Sequence, residues 1–257
     1  MKKAFSLVEL SIVLVILGLL VGGILTGQSL IRAAELRSVT TEFSQYQTAV
    51  MTFRDKYFAI PGDMKNARDF WGAASNCATA GAVLSGGTCD GNRNGVIDIG
   101  GGPSRERYYA WHHLMLAGLI EGNYAGNSGA NHVFDDSDAG WNVPQNKLDA
   151  NGGWCFNHDP VAHDFSEHFD FTRSLGLGPT ASASASCTGA LMTPFEAWHL
   201  DQKMDDGLPG RGKVIGHGTY CTTSGTDPIT LDEATGSKYY QGNDSVVRCM
   251  LSFINAF

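Results

Sequence analysis

Several catalytic and binding signatures are missing from this chain. It has no Cys-x-x-Cys pair, which argues against a zinc ribbon or a thioredoxin-like site. It has no nucleophile-elbow serine, no phosphate loop and no His-Glu-x-x-His helix, and the Gly100–Ser104 run GGGPS is too loose to cradle a phosphate. An enzyme is therefore not expected. Basic residues are scarce, with 18 Lys and Arg against 26 Asp and Glu and a formal charge of −8. Such a surface repels nucleic acid, so no nucleic-acid partner is expected. Internal repeats and long linkers are also missing, which leaves one main domain.

Hydrophobic residues make up 43% of the chain, enough for a packed core. The 32 glycines fall mostly after Gly72 and predict a loop-rich second half. Six cysteines, Cys77, Cys89, Cys155, Cys187, Cys221 and Cys249, form an even set that suits disulfides in an exported protein and an oxidising compartment.

The class is set by the N-terminus. Residues 1–4 read Met-Lys-Lys-Ala, and an apolar run, FSLVELSIVLVILGLLVGGIL, begins at Phe5. Its one charged residue is Glu9; residues 10–25 carry no charge. A secretory signal is cut after its apolar region. Here the text after that region continues as a helical pattern, and the small-residue junction, Ala4–Phe5, precedes the run. Cutting there leaves the hydrophobic helix on the mature chain. An ionised residue in a membrane segment costs about 2.5–3.5 kcal/mol on insertion scales, so Glu9 needs a partner. The new amino group on Phe5 would supply one, within the same helix or from a neighbouring chain. The alternative is a plain signal anchor that tolerates a Glu near its end.

The text KKAFSLVEL followed by an apolar run resembles the processing and methylation motif of type IV pilins and type II secretion pseudopilins. The resemblance implies cleavage between Ala4 and Phe5 by a prepilin peptidase, N-methylation of Phe5, and Glu9 as the acidic assembly residue. The family usually carries Gly before the cut; Ala4 departs from this and implies slower processing. KYFAIPGDMKNARDFWG and EAWHLDQKMDDGLPG also resemble a branch of larger prepilin-like proteins of Gram-negative bacteria. The implied fold is pilin-like α+β: a long N-terminal helix against a small antiparallel sheet, with a loop-rich, disulfide-bonded head. The implied organisation is a leader at 1–4, a long helix at 5–60 and a globular head at 61–257. The helix has a membrane half, about 5–27, and an amphipathic half, about 28–60. The implied function is that of a structural subunit of a type IV pilus or a type II secretion pseudopilus. Its partners would be other pilin subunits, the prepilin peptidase and the inner membrane, with a periplasmic head that ends in a filament. The alternative is a minor tip pilin whose acidic head binds a surface or a secreted substrate. Cys221 and Cys249 bracket a tail that resembles the C-terminal disulfide loop of pilins, worth about 3–4 kcal/mol in the chain-entropy account. Cys77–Cys89 is the obvious local pair, which leaves Cys155–Cys187; other pairings or free thiols remain open.

Beyond the apolar run, Leu36, Val39, Phe43, Tyr46, Val50, Phe53 and Tyr57 recur at helical spacing, with Glu35, Arg37, Glu42, Gln45, Gln47 and Arg54 around them. That stripe predicts packing on the chain's own head or, as the alternative, a coiled-coil seam. Pro61 predicts the stop. Gly18, Gly22, Gly23 and Gly27 predict bending or melting under packing strain, or close helix approach. In the head, a short helix over 61–72 capped by Asp63 is expected, then a second helix from Ser104 to about Leu119 with Tyr108, Trp111, Met115 and Leu119 on one face. His112 and His113 would be split between core and solvent. Thr193-Pro194-Phe195-Glu196 is a capping box opening a helix that ends near Gly207. Strands are expected at Lys213–Tyr220, Val246–Phe253 and near Asn131–Phe134.

The strongest site signal is Asp90-Gly-Asn92-Arg-Asn94-Gly-Val96-Ile-Asp98. Oxygen-bearing residues alternate, Gly95 takes the sharp turn, Val96 offers a carbonyl and Asp98 falls at the ninth place, as calcium loops require. The twelfth place is Gly101, so the bidentate acid is missing unless Glu106 reaches in. Calcium is the one candidate cofactor, set against a turn in which Asn and Gly serve the backbone. Asp201, Asp205 and Asp206 end the capping-box helix, where acids oppose its dipole unless a cation or a turn compensates; the turn is the simpler reading. Asp135, Asp136 and Asp138 read as a solvated loop. His158, His163 and His168 form no closed zinc pattern.

Overall fold

The structure is a computed structural model that describes residues 7–77, 83–98, 105–127, 137–157, 173–180, 187, 189–218, 220–223, 238–240, 245–254 and 256. Helix α1 spans Leu7–Tyr57, 51 residues, or about 76 Å at 1.5 Å per residue. It runs unbroken through Gly18, Gly22, Gly23 and Gly27, where the sequence predicts bending or melting. No atom lies within 4 Å of where a Cβ would sit on any of the four, so nothing packs there to exploit the weakness. The helix ends three residues sooner than its proline stop suggests: Phe58 takes a left-handed φ of 52° while its N–H still donates to Arg54 O at 2.8 Å.

The second half of α1 is the spine of the head. Val39, Tyr46, Val50 and Phe53 are buried, and Leu36, Phe43 and Tyr57 pack against the same core. The stripe therefore serves the chain's own head. Tyr46 meets Trp111 edge-on at 5.1 Å and Trp154 at 5.7 Å, while Phe43 stacks on Phe253 at 4.6 Å. Aromatic pairs in these geometries add to the burial of their area. Glu42, placed by the sequence among the polar residues flanking the stripe, is buried instead. Its Oε2 accepts the Trp154 indole N–H at 2.8 Å, and burial raises its carboxyl.

After α1 come α2 (Ala67–Trp71), α3 (Glu106–Leu116), β1 (Gly152–Asn157), β2 (Ser174–Pro179), α4 (Pro194–Met204), β3 (Val214–His217) and β4 (Met250–Phe253). The strands form one antiparallel sheet in the order β1-β2-β4-β3. Trp154 pairs with Leu177, Leu177 with Leu251, and Leu251 with Gly216. β1 and β2 differ from the expected strands: GGWCFN does not alternate, and in SLGLGP the leucines alternate only with glycines, which are weak strand formers. One of the two glycines in β2 has a packing reason: a Cβ on Gly178 would lie 2.2 Å from Cys187 O. The strand expected near Asn131–Phe134, the polar stretch 181–186, Ser104, Asp135, Asp136, His158, His163 and His168 lie outside the described residues. Disulfides join Cys77 to Cys89, Cys155 to Cys187 and Cys221 to Cys249.

Two helix expectations are corrected. α2 begins at Ala67 with no side-chain cap, because Asp63 is engaged elsewhere. α3 has no single core face: every residue from Glu106 to Leu114 is buried, both histidines included. His113 Nδ1 accepts Gly62 N–H at 3.0 Å, and its Nε2 lies 3.1 Å from Cys89 O, which fits a neutral ring protonated at Nε2; burial pushes its pKa down to about 3.

α4 carries the capping box in full. Thr193 Oγ1 accepts Glu196 N–H at 3.3 Å, and Thr193 N–H donates to Glu196 Oε2 at 2.8 Å. The same Glu196 binds Arg32 of α1 through Nε at 2.7 Å and Nη2 at 3.1 Å. Burial works against the Glu196 charge, but the Arg32 bonds win and hold its carboxyl below the usual range. One side chain thus starts α4 and fastens it to the long helix. Glu196→Ala is expected to destabilise the head by about 1–3 kcal/mol, more than Arg32→Ala, since it removes the cap and the ion pair together. Urea unfolding of both variants checks this; equal losses would mean that the cap adds nothing.

Candidate functional site

Three regions hold the described residues singled out from the sequence: the N-terminal half of α1, the loop around Asp90–Asp98 and the acids at the end of α4. Every Leu, Ile and Val from Leu7 to Leu25 is at least 50% exposed. This α1 segment is long and apolar enough to cross a membrane. Glu9 lies in its first turn. Ala4 and Phe5 are outside the described residues.

The loop closes on itself through its asparagines. Asn92 Oδ1 accepts Asn94 N–H at 2.8 Å, and Asn94 Oδ1 accepts Val96 N–H at 3.0 Å. These turns bring three side chains together: Asn92 Nδ2 lies 2.5 Å from Asp98 Oδ2, and Asn94 Nδ2 lies 3.2 Å from the same oxygen. Asp90 does not join them. Its carboxylate accepts Arg68 N–H at 2.9 Å and pairs with the Arg68 guanidinium at 3.5 Å. Of the five predicted ligands, the loop therefore gathers the side chains of Asn92, Asn94 and Asp98, while Val96 contributes its N–H to a turn.

Two acids behind the loop hold its backbone. Asp63 accepts Asn94 N–H at 3.0 Å and Gly95 N–H at 2.9 Å; Glu106 accepts Asn92 N–H at 2.7 Å and Asp98 N–H at 2.9 Å. Both residues are almost wholly buried. Glu106 does reach the loop, as the missing twelfth ligand would require, but it spends both oxygens on amides. Burial pushes its carboxyl up to about 7, against the pull of those amides, and the Asp63 and Asp98 charges add to the rise. Burial raises Asp63 as well. No local pattern marks Asp63 as a loop clamp, since it precedes Asn94 by 31 residues. The close approach shows in the glycines: a Cβ on Gly62 would lie 2.3 Å from Glu106 O, and Gly62 has a φ of 88° that favours glycine.

The acids in and just after the last turn of α4 accept backbone N–H groups. Asp201 Oδ1 accepts Gly207 N–H at 3.2 Å, Asp205 Oδ2 accepts the N–H groups of Lys213 and Val214, and Asp206 accepts Leu208 N–H at 2.8 Å and pairs with Arg211 at 3.1 Å. One oxygen from each of the three lies within 4.8 Å of the others. Burial pushes Asp201 up to about 7, opposed by the nearby Tyr239 hydroxyl and the Gly207 amide.

No family model matches the chain, and neither a protein of known function nor a solved structure does.

A pH prediction follows from Glu106. A folded-state value near 7 against about 4.5 unfolded means that the folded head binds the extra proton. Its contribution is greatest below pH 4.5 and is lost as pH rises to about 7. In metal-free buffer, wild type should lose up to about 3 kcal/mol relative to Glu106→Gln between those pH values. Parallel pH–stability curves for the two proteins would contradict this.

Proposed function

We propose that this chain is a prepilin-type subunit: cut between Ala4 and Phe5, held in the inner membrane by the first half of α1, and built to assemble into a type IV pilus or type II secretion pseudopilus. The observation that carries the reading is the division of one continuous helix. Its first half, some 20 apolar residues interrupted by Glu9, is bare; its second half is the core of a disulfide-bonded head. An apolar surface of that size marks an interface with lipid or protein. A helix that crosses lipid in the precursor can pack against its copies in a filament, because both settings accept apolar side chains. Glu9 then pairs with the amine of Phe5, in its own chain or in a neighbour, and so sets the axial register. The small antiparallel sheet beside the helix fits a pilin-like α+β fold.

One feature favours the tip-subunit alternative. At the far end of α1, a shallow hollow is lined by Met51, Arg54, Asp55, Phe58, Ala59 and Ile60, and Phe58 is 87% exposed. An aromatic left in water at the end away from the membrane is suited to contact with a surface or a secreted protein. Copy number along isolated filaments separates the two: many copies make it the structural subunit, and one or a few at an end make it the tip.

The loop at 90–98 is proposed to bind calcium through Asn92, Asn94 and Asp98, with Asp63 and Glu106 fixing the backbone around it. Asp98→Ala should then abolish the rise in melting temperature on adding calcium and change little in chelator; equal loss under both conditions would leave a purely structural turn. For assembly, Glu9→Ala should insert into the membrane normally and fail to support filaments. Normal filaments built from that variant as the sole major subunit would refute the role given to Glu9.

A further inference from the structure

We propose that the α4 end of the head rests on the phospholipid surface, with Phe195, Tyr220, Val246 and Val247 in the interfacial layer; this builds on the reading that α1 spans a bilayer. Depth along α1 sets the level of this end of the head. A hydrocarbon core about 30 Å thick is crossed by about 20 helical residues, so a span that starts at Leu7 leaves the core near Gly27. Arg32 stands five residues farther along, about 7–8 Å, a rise that matches the headgroup layer. Whatever is bonded to Arg32 sits at that level.

Arg32 is bonded to this end of the head. Besides Glu196, its Nη2 donates to Leu191 O at 3.3 Å. The next residue, Met192, accepts the N–H groups of Arg248 and Cys249 at 3.0 and 2.9 Å. Cys249 is joined to Cys221, and the Arg248 guanidinium lies over the Tyr220 ring at 5.2 Å. Short links therefore fasten the start of α4, the approach to β4 and the Cys221 turn to one point on α1.

The same place carries apolar groups left in water. Phe195 is 51% exposed, Tyr220 56%, Val246 51% and Val247 48%. Phe195 packs edge-on against His199 at 4.3 Å and near Trp198 at 5.8 Å, which makes an aromatic cluster on the first turns of α4. Aromatic rings with a polar edge favour the membrane–water boundary, and arginine can reach headgroup phosphates while its stem lies on apolar surface. On α1 itself, Leu30 and Ile31 are more than 60% exposed, and they directly precede Arg32, so the apolar surface of the span continues along the helix to the level at which the patch is fastened. That continuity selects the bilayer as the occupant. The ion pair of Arg32 with Glu196 then acts as a bracket that sets the height of the head above the lipid.

The test uses the full chain in phosphatidylcholine vesicles whose acyl chains carry bromine, a contact quencher of indole fluorescence. Four variants each add one tryptophan to the native five: Leu19→Trp in the span, Phe195→Trp and Val247→Trp in the patch, and Phe58→Trp at the far end. Emission added over wild type should be lost almost wholly for Leu19→Trp, lost in part for Phe195→Trp and Val247→Trp, and kept for Phe58→Trp. If Leu19→Trp is quenched while the patch positions behave like Phe58→Trp, the span stands and the seating is overturned. A blue shift at the patch without quenching would give it to a second copy of the chain, and would also overturn the proposal. If Leu19→Trp escapes quenching, the spanning reading falls and takes the seating with it.

Discussion

Everything in this molecule depends on one backbone requirement: a segment whose apolar side chains exclude water must satisfy its own N–H and C=O groups. An unbroken helix does this, and α1 remains unbroken for 51 residues. The same helix then presents two kinds of surface. Over Leu10–Leu25 its side chains are uncharged on every face, so nothing distinguishes one direction from another. From Leu36 to Tyr57 the apolar residues collapse to one stripe, and that stripe carries the head. The boundary is marked by Arg32, whose guanidinium is held by Glu196 and Glu35. A cation there ends the apolar run and fixes where the head begins.

The head is firm where it meets the helix and costly elsewhere. Tyr46 between Trp111 and Trp154, together with the disulfides, gives a rigid centre. Against this stand several buried acids: Glu42, Asp63, Glu106 and Asp201. Burying a carboxylate is unfavourable unless donors surround it. Asp63 and Glu106 collect loop amides, Glu42 has an indole, and Asp201 has an amide and a tyrosine hydroxyl beside it. Two of the four lie directly behind the 90–98 loop. A cation in that loop would offset their negative charge, which is the physical reason to connect the clamp with calcium.

The elements governed by local rules were legible in the sequence. The capping box at Thr193–Glu196, the stripe on α1 and the strands around Val214–His217 and Met250–Phe253 follow from spacing and cap chemistry alone. The failures share a cause, which is long-range contact. β1 and β2 are glycine-interrupted strands made by their neighbours rather than by propensity. Asp63 looked like a helix cap because its true partners are distant in sequence, and Glu42 looked solvated because its partner, Trp154, is more than a hundred residues away. α3 misled in the same way: buried on all sides, it shows no amphipathic period to read. At the calcium-like loop, the spacing identified the convergence of Asn92, Asn94 and Asp98 but could not reveal that Arg68 draws Asp90 aside.

The claim on which the functional reading rests is that the mature chain begins at Phe5 and keeps its apolar helix. The intact mass of the protein isolated from its native host tests this most directly. The expected species lacks Met1–Ala4, is heavier by one CH2 because a methyl replaces a hydrogen on the Phe5 nitrogen, and is lighter by the six hydrogens lost in forming the three disulfides. A chain that retains Met1, or one trimmed beyond Leu25, would contradict it.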